Sequence, residues 1–245
     1  MSATEAFFAS RAMQALEVLA FGPSTATRVA DELQVHPRTA RRLLNRMVHD
    51  GWLIRRDGPR PTYTPTLRIV ALAAQLAQRA PLVRHGLEVA GALQGTTGHS
   101  VHLAVPSYRS ALRLVRAGGT VEGARDLAPP NAIAAGKVLL AFRAPWSDAV
   151  LAAPLTALTE RTLTDPVALR ADLERVRRRG YAVEDGEFAV ARQALAVPVA
   201  GEAGDVIAAL ALADGERPVE ELLEHHEALA TAAAMLADRL AEEAA

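Results

Sequence analysis

The chain has 245 residues, half of them apolar, with no cysteine and a formal net charge of −1. That length suits two domains of ordinary size, and the lack of cysteine excludes disulfides, thiolate metal sites and cysteine nucleophiles. No apolar run approaches the roughly 20 residues of a membrane span, and Met1–Phe7 lacks the basic start and apolar stretch of a secretion signal, so a cytoplasmic protein with no membrane contact is expected. The near-zero total hides an asymmetry. Residues 1–80 carry 11 Arg against 6 acids, and residues 81–245 carry 16 basic against 22 acidic residues. A basic front on an acidic back suggests a polyanion-binding domain joined to something else. Every base but Lys137 is Arg, so the placement of the arginines informs more than their number.

In chain order, a first helix is expected from about Ser10 to Ala20, with Met13, Leu16, Val18 and Leu19 toward the core, broken by Gly22-Pro23. Thr25–Leu33 follows, apolar at Ala26, Val29, Ala30 and Leu33 on one helical face, with Ser24 at the N-cap position. A second helix, Pro37–Asp50, opens with proline at its first position. It lines one face with Ala40, Leu43, Leu44, Met47 and Val48 and ends at Gly51; His36 is placed to cap it. Two short helices with a tight joint, the second rich in Arg, describe a helix-turn-helix. Trp52–Ile54 and Thr62–Thr64 read as short strands around an Asp-Gly and Pro turn, which makes the unit a winged helix-turn-helix. Its expected DNA contacts follow from position. Arg38, Thr39 and Arg42 near the helix start face base edges, with Arg41, Asn45 and Arg46 on the same polar surface. Thr25 and Arg28 sit for phosphates, and Arg55, Arg56 and Arg60 in the wing for phosphate or minor groove. The plainer alternative for any of these arginines is a solvated surface residue.

The segment Leu67–Arg79 is apolar at Leu67, Ile69, Val70, Leu72, Ala73 and Leu76, a stripe too wide for a free linker helix. A second copy of the same helix is the economical cover, and two reading heads would demand an inverted-repeat operator on double-stranded DNA. The expected division is 1–65 for the winged helix, 66–80 for the linker helix and 81–245 for a second domain bounded by Pro81. That domain mixes helices (Leu82 to about Leu93, then the turn Gly95–Gly98; Ala132–Ala134 to Arg143; Pro166–Arg179, capped by Asp165 and closed by Gly180; Val219–Glu242) with strands (His99–Val105, Ala111–Ala117, Tyr181–Val183, Ala194–Val199, Val206–Ala213). Gly118-Gly119 and a loop through Pro129-Pro130-Asn131 link two of these elements. Hairpin-like pairs favour an antiparallel sheet flanked by helices, and so an α+β protein.

These segments resemble the IclR family of bacterial transcriptional regulators over nearly the whole chain. The matching stretches are VADELQVHPRTARRLLNRMVHDGWLIRR, the Tyr63 strand and LRIVALA in front, then AIAAGKVLLAF (Ala132–Phe142) and RRRGYAVEDGEFAVARQALAVPVAGEAGDVIAALALA (Arg177–Ala213). The resemblance implies a winged helix, a linker helix and a GAF-like effector-binding domain, in a homodimer or tetramer on an operator, with no cofactor. The chain departs from the family pattern at Thr64-Pro65-Thr66 after the wing tyrosine and at Gly186 and Phe188 around Glu187.

The expected effector site centres on the helix start Asn131-Ala132-Ile133-Ala134-Ala135-Gly136, where small side chains and backbone N–H groups suit the carboxylate of a small organic acid. A helix packed tightly on the sheet with no ligand is the competing reading. His102, Arg116, Gln193, Leu195, Leu210 and Leu212 on the strands are candidates for an apolar wall with polar anchors. Glu184, Asp185 and Glu187 read as a solvated acidic loop, and Lys137 as structural. No nucleophile elbow, phosphate loop or dinucleotide fingerprint is present, and His225-His226 point about 100° apart, a poor metal pair. An enzyme is therefore not expected, although an enzyme with an accessory DNA-binding domain and a ligand-independent DNA binder remain the rivals.

Overall fold

The computed structural model describes residues 3–20, 22–118, 126–215 and 217–244, with side chains from Arg11 onward. Gly119 of the expected Gly-Gly pair lies outside the described residues. The chain divides into two units, Met1–Arg79 and Ala80–Ala245.

In the first unit, α1 (Ala3–Leu19) precedes the short strand β1 (Ser24–Thr25), α2 (Ala26–Glu32), α3 (Pro37–His49), β2 (Leu53–Arg56), β3 (Thr62–Pro65) and α4 (Leu67–Gln78). The strands pair antiparallel in the order β1-β3-β2, with Arg55 opposite Tyr63 and Ser24 opposite Tyr63 on its other side. Ala15, Leu19, Val29, Leu33, Leu43, Leu44, Met47, Leu53 and Tyr63 form one core. Met13, expected inside, is largely exposed; the inward stripe of α1 runs through Ala12, Ala15, Leu16 and Leu19 instead. Ser24 is not the N-cap of α2. The helix begins at Ala26, one residue later than expected, and Thr25 caps it by accepting from the Arg28 N–H at 3.3 Å. His36 caps α3, its Nδ1 accepting from the Arg38 N–H at 3.2 Å. Gly51, at φ +78°, takes the left-handed conformation that ends α3 and turns the chain into the wing.

The second unit runs α5 (Pro81–Thr97), β4 (Ser100–Ser107), β5 (Ser110–Ala117), β6 (Leu127–Ala128), α6 (Ala134–Phe142), α7 (Ala144–Leu151), α8 (Pro166–Arg179), β7 (Ala182–Asp185), β8 (Gln193–Ala200), β9 (Val206–Asp214), α9 (Val219–Glu224) and α10 (His226–Ala244). The strands form an antiparallel sheet of order β6-β5-β4-β9-β8-β7. The protein is thus an α+β chain with a winged helix-turn-helix in front. α5 absorbs the expected Gly95–Gly98 turn, continuing to Thr97. The single terminal helix expected over Val219–Glu242 breaks at His225. The His225 and His226 rings pack on different partners, His99 at 5.1 Å and Tyr181 at 4.8 Å between centroids.

The sheet separates two cores. On one face α5, α9 and α10 cover Leu103, Val115, Leu195, Val197, Leu210 and Leu212. On the other, α6 covers a floor of small residues that includes Ala104, Ala194, Ala196, Ala209, Ala211 and Ala213, and α8 packs on α6. Alternation along the strands makes this sorting, because neighbours in sequence point to opposite faces wherever the register is unbroken. Among the described residues no helix is long and apolar enough to cross a membrane.

Candidate functional site

Two regions carry unusual chemistry, and each is built by a local device. In the first unit, burial of Ala40, Leu43, Leu44 and Met47 turns the opposite face of α3 outward. Arg38 stands three and four residues before Arg41 and Arg42, which stand four and three before Asn45, so the four share one exposed stripe. Thr39 is half-buried beside them. Arg46 pairs with Asp50 at 3.1 Å and Arg55 with Asp57 at 2.9 Å, both on the surface, where such pairs exchange readily for other anions. The hydrogen bonds from His49 and Arg46, in that order, hold the Asp50 carboxyl below its ordinary range. Arg28, Arg56 and Arg60 are exposed. The wing is tied to α3 by Tyr63, whose hydroxyl donates to Asn45 Oδ1 at 2.9 Å. The α4 helix beyond it has no buried residue; Leu67, Val70 and Leu76 are 82%, 62% and 62% exposed.

In the second unit, His102, Arg113, Arg116 and Arg192 line a cavity of about 230 Å³ together with Ser100, Ala213 and Asp214. A β-bulge builds it. Arg116 lies opposite His102 and Val115 opposite Leu103, but Arg113 lies opposite Ala104, so Leu114 is the extra residue. Without that bulge, Arg113 and Arg116, three apart, would point to opposite faces; with it both reach the α6 side. Arg192 arrives from the turn before β8. Phe188 lies behind, with the Arg113 and Arg192 guanidinium carbons 5.4 and 4.9 Å from its ring centroid. Arg116 pairs with Asp126 at 2.9 Å. Fully buried Glu184 places Oε1 3.5 Å from Arg192 Nε.

The electrostatics are those of a crowded cationic pocket. Burial, then the repulsion of Arg116 and Arg192, pulls Arg113 down to about 10, against the opposing pull of Asp126 and Glu184. Burial foremost, then the three guanidiniums, holds His102 well below the usual imidazole range. The ring is neutral at pH 7 and offers one donor and one acceptor. Burial raises Glu184 to about 7 despite Arg192.

The other expected effector residues stand elsewhere. Ala132, Ile133, Ala134 and Ala135 have no exposed surface and Gly136 is buried. A Cβ on Gly136 would stand 2.3 Å from the Pro130 carbonyl oxygen. The Pro129-Pro130 turn therefore fills the space beside Gly136, while Pro129, Pro130 and Asn131 line a separate cavity of about 330 Å³ with Arg109 and Thr156. Asn131 is buried as well, and its amide N–H groups are spent on the Thr156 and Leu163 carbonyls at 2.9 and 3.0 Å. Leu195, Leu210 and Leu212 face α5 and α10, across the sheet from α6, and Gln193 shares that side by alternation. An apolar wall built from them cannot meet His102 and Arg116. The acidic segment is also not a solvated loop. Glu184 is fully buried and Glu187 largely so, and Lys137 reaches Glu187 at 2.7 Å and Asp172 at 3.3 Å. Burial raises Glu187, with Lys137 opposing. Sequence reasoning missed Arg113 and Arg192; the one available signal for Arg113 was its nearness to Arg116, which strict alternation masks.

A winged helix-turn-helix followed by an antiparallel sheet domain flanked by helices is the architecture of a DNA-binding transcriptional regulator. The comparisons with known proteins agree. Residues 77–238 match the family model for the bacterial transcriptional regulator IclR C-terminal domain, and the chain belongs to the IclR family of bacterial transcriptional regulators. It is 28% identical over 211 residues to the HTH-type transcriptional regulator BhcR of Paracoccus denitrificans, covering 82% of this chain and 75% of that one. An IclR regulator structure from Silicibacter is 27% identical and superposes with a TM-score of 0.78, covering 96% of both chains. An IclR homologue from Microbacterium hydrocarbonoxydans, solved with 4-hydroxybenzoate, is 27% identical with a TM-score of 0.75, covering 95% of this chain and 98% of that one. These relatives are regulators and not enzymes.

Proposed function

We propose that this regulator binds an inverted-repeat operator as a dimer or higher oligomer, and that a small organic acid seated on the β4–β5–β9 face tunes its affinity. The convergence of Arg113, Arg116 and Arg192 on one cavity carries this reading, because three guanidiniums around one space favour an anion there over a neutral ligand. The complex of the Microbacterium homologue with 4-hydroxybenzoate supports an acid as the class of ligand. On the DNA side, Arg38, Thr39 and Arg42 read base edges. Arg41, Asn45, Arg46, Thr25 and Arg28 hold the backbone, and Arg55, Arg56 and Arg60 reach the phosphates or minor groove beside the wing. The exposed stripe of α4 supplies the surface for a second copy, since an apolar helix face of this extent is not stable in water uncovered.

The test uses the full chain and DNA from upstream of its own gene. Fluorescence anisotropy should show affinity falling steeply with added salt, and a titrated organic acid should shift the binding curve. Binding without salt dependence would remove the DNA-reading assignment. Binding that no acid shifts, with a second unit that no acid stabilises, would remove the effector assignment.

A further inference from the structure

A buried acid stands behind one wall of the cavity. Glu184 on β7 lies opposite Ala194 on β8, which lies opposite Ala213 on β9, which lies opposite Ser100 on β4. This row runs along the α6 face of the sheet, and Ala213 and Ser100 at its far end line the cavity. Glu184 is two strand spacings, roughly 10 Å, from Ala213. Arg192 spans the gap: it lines the cavity, and its Nε stands 3.5 Å from Glu184 Oε1. Glu184 thereby holds the Arg192 side chain toward the cavity from behind. The hold is loose. Glu184 has no exposed surface, and neither carboxylate oxygen has a partner within hydrogen-bond distance.

The charges facing Glu184 come from several elements. On α6, the Ala134 N–H and Lys137 favour its ionised form, but Lys137 is paired with Glu187 and Asp172. Glu187, in the turn before β8, opposes ionisation. Arg113 on β5 is drawn by Glu184 as well. Asp185, next along β7, is exposed and pairs with Arg161 at 2.9 Å, and α9 meets β7 from the opposite face of the sheet. Around the cavity, Arg113, Arg116 and Arg192 meet three acids: Asp126 on Arg116, Glu184 on Arg192, and Asp214 in the wall. An effector carboxylate makes a fourth anion. Asp126 is exposed and Asp214 is bound to His99 at 3.0 Å, so Glu184 is the acid sealed from water with the weakest partners. Two carboxylates that compete for one guanidinium in a dry setting oppose each other's ionisation.

Resting on the reading of this cavity as the effector pocket, we infer that Glu184 is its built-in counter-ion: an effector carboxylate takes Arg192 from it, and Glu184 takes up a proton from the solvent as it lets go. The effector touches Arg192 and not Glu184, which acts through the guanidinium as a positioning residue. One anion and one proton enter together, so the net charge of the buried site does not change. Burial already lifts the Glu184 carboxyl to about 7 with Arg192 as its counter-ion; losing that cation and gaining a like charge both move it higher. Well below pH 7 Glu184 is protonated in both states and the uptake vanishes. Just above pH 7 it is largest, and affinity falls as pH climbs through that range. His102 is neutral throughout and contributes nothing to the exchange.

The experiment is calorimetric titration of the full chain with acetate, lactate, butyrate and 4-hydroxybenzoate, whose carboxyls are ionised from pH 6 upward. Heats are compared at pH 7.5 and fixed chloride in HEPES and in Tris, buffers with unlike heats of protonation, and affinity is read at pH 6, 7 and 8. The tightest-binding acid should draw roughly half a proton or more per site at pH 7.5 and bind several-fold more weakly at pH 8 than at pH 6. Glu184→Gln has no carboxylate to protonate and should bind without proton uptake and with a flat pH profile. Arg192→Gln should bind at least about tenfold more weakly, one charged contact in affinity. The wild-type proton count needs no variant, so it decides even where Glu184→Gln fails to fold. An acid that binds, is weakened by Arg192→Gln and draws no proton overturns the inference and leaves the effector pocket standing, as does uptake that persists in folded Glu184→Gln. No binding by any of these acids, or binding unchanged in folded Arg192→Gln, overturns the inference together with the pocket.

Discussion

Tyr63 Oη donates a 2.9 Å hydrogen bond to Asn45 Oδ1, so the middle strand of the wing holds a side chain on the exposed stripe of α3. The bond occupies one of the two lone pairs of Asn45 Oδ1 and ties the amide to the wing. An asparagine that reads adenine must bring its oxygen and its nitrogen to one base edge together; one whose oxygen is held by a tyrosine suits phosphate. Asn45→Ala should therefore weaken DNA binding by a similar factor on every sequence. Tyr63→Phe should cost about 1 kcal/mol of stability and weaken DNA binding several-fold without changing sequence preference. Anisotropy on the operator and on a set of single-base variants checks both. Loss of discrimination at one base pair in Asn45→Ala would assign it to base reading instead.

The arginines should separate by position. Arg38→Ala, at the start of α3, should cost about 1–3 kcal/mol on the operator and relax specificity at one position in each half-site. Arg60→Ala, at the wing tip, should weaken all sequences alike and flatten the plot of log K against log salt by about one unit for each phosphate that the variant no longer neutralises. Equal behaviour of the two variants across sequence variants would count against a groove-inserted α3.

Lys137 is the buried hub of the second unit. It stands 2.7 Å from Glu187 and 3.3 Å from Asp172, whose other oxygen accepts from Arg175 at 2.9 Å. Thr162 and Thr159 hold the same turn by donating to the carbonyls of Glu187 at 2.6 Å and Gly186 at 2.7 Å. Lys137→Ala leaves two carboxylates without their common cation in a dry setting and should cost about 3–5 kcal/mol. Lys137→Met with Glu187→Gln and Asp172→Asn should recover much of that loss, because the double acid is then gone too. Chemical denaturation of the full chain measures both; a Lys137→Ala cost under about 1 kcal/mol, the range of a solvated pair, would show that water reaches the cluster.

Gly136 sets a packing limit of a different kind. Its missing Cβ admits the Pro130 backbone, 2.3 Å from where a methyl would stand. Backbone on both sides leaves nothing flexible to yield, so Gly136→Ala should cost more than the roughly 1–3 kcal/mol usual for an overpacked core. The thermal transition of the second unit reads this directly, and an unchanged midpoint would mean that the Pro129-Pro130 turn moves without cost.

What the sequence revealed, and what it hid, divides along local and non-local causes. Pro37 at the start of α3, Gly51 after it, Asp165 and Gly180 around α8 and the Asp-Gly turn of the wing are signals carried by one or two residues, and the elements begin and end where those residues stand. Thr25 took the capping role from Ser24 because α2 begins one residue later, at Ala26, after Ser24 and Thr25 have both paired with β3, a strand distant in the chain. The pocket was harder. Period-two alternation sorts Leu195, Leu210 and Leu212 onto one face, but which face meets α6 is decided by the alanines beside them, and sequence alone does not say which set a helix covers. Arg113 joins Arg116 only through the Leu114 bulge, and no turn residue marks that bulge. The family motif points to the start of α6, where in this chain the Pro130 backbone fills the space beside Gly136.

Glu184 gives the last prediction its sign. Burial raises its carboxyl from 4.5 to about 7, with Glu187 adding to the rise and Arg192, the Ala134 N–H and Lys137 opposing it. A carboxyl raised in the folded state binds a proton there that the unfolded chain has already released, so its contribution to stability is complete below about pH 4.5. That contribution is lost as pH climbs through about 7 and changes no further above it. The difference corresponds to stability on the order of 3 kcal/mol across the window. Glu187 is raised as well and acts with the same sign, so the wild type should be measurably weaker at pH 8 than at pH 5. Glu184→Gln carries no ionisable group at this site and should lose much less over the same interval. Arg192→Gln removes the cation that favours the carboxylate and should carry the loss to higher pH. Urea denaturation of the three proteins at pH 5, 6, 7 and 8 separates these outcomes. Parallel pH profiles for the wild type and Glu184→Gln would mean that water solvates Glu184 and that Arg192 is held toward the cavity by something else.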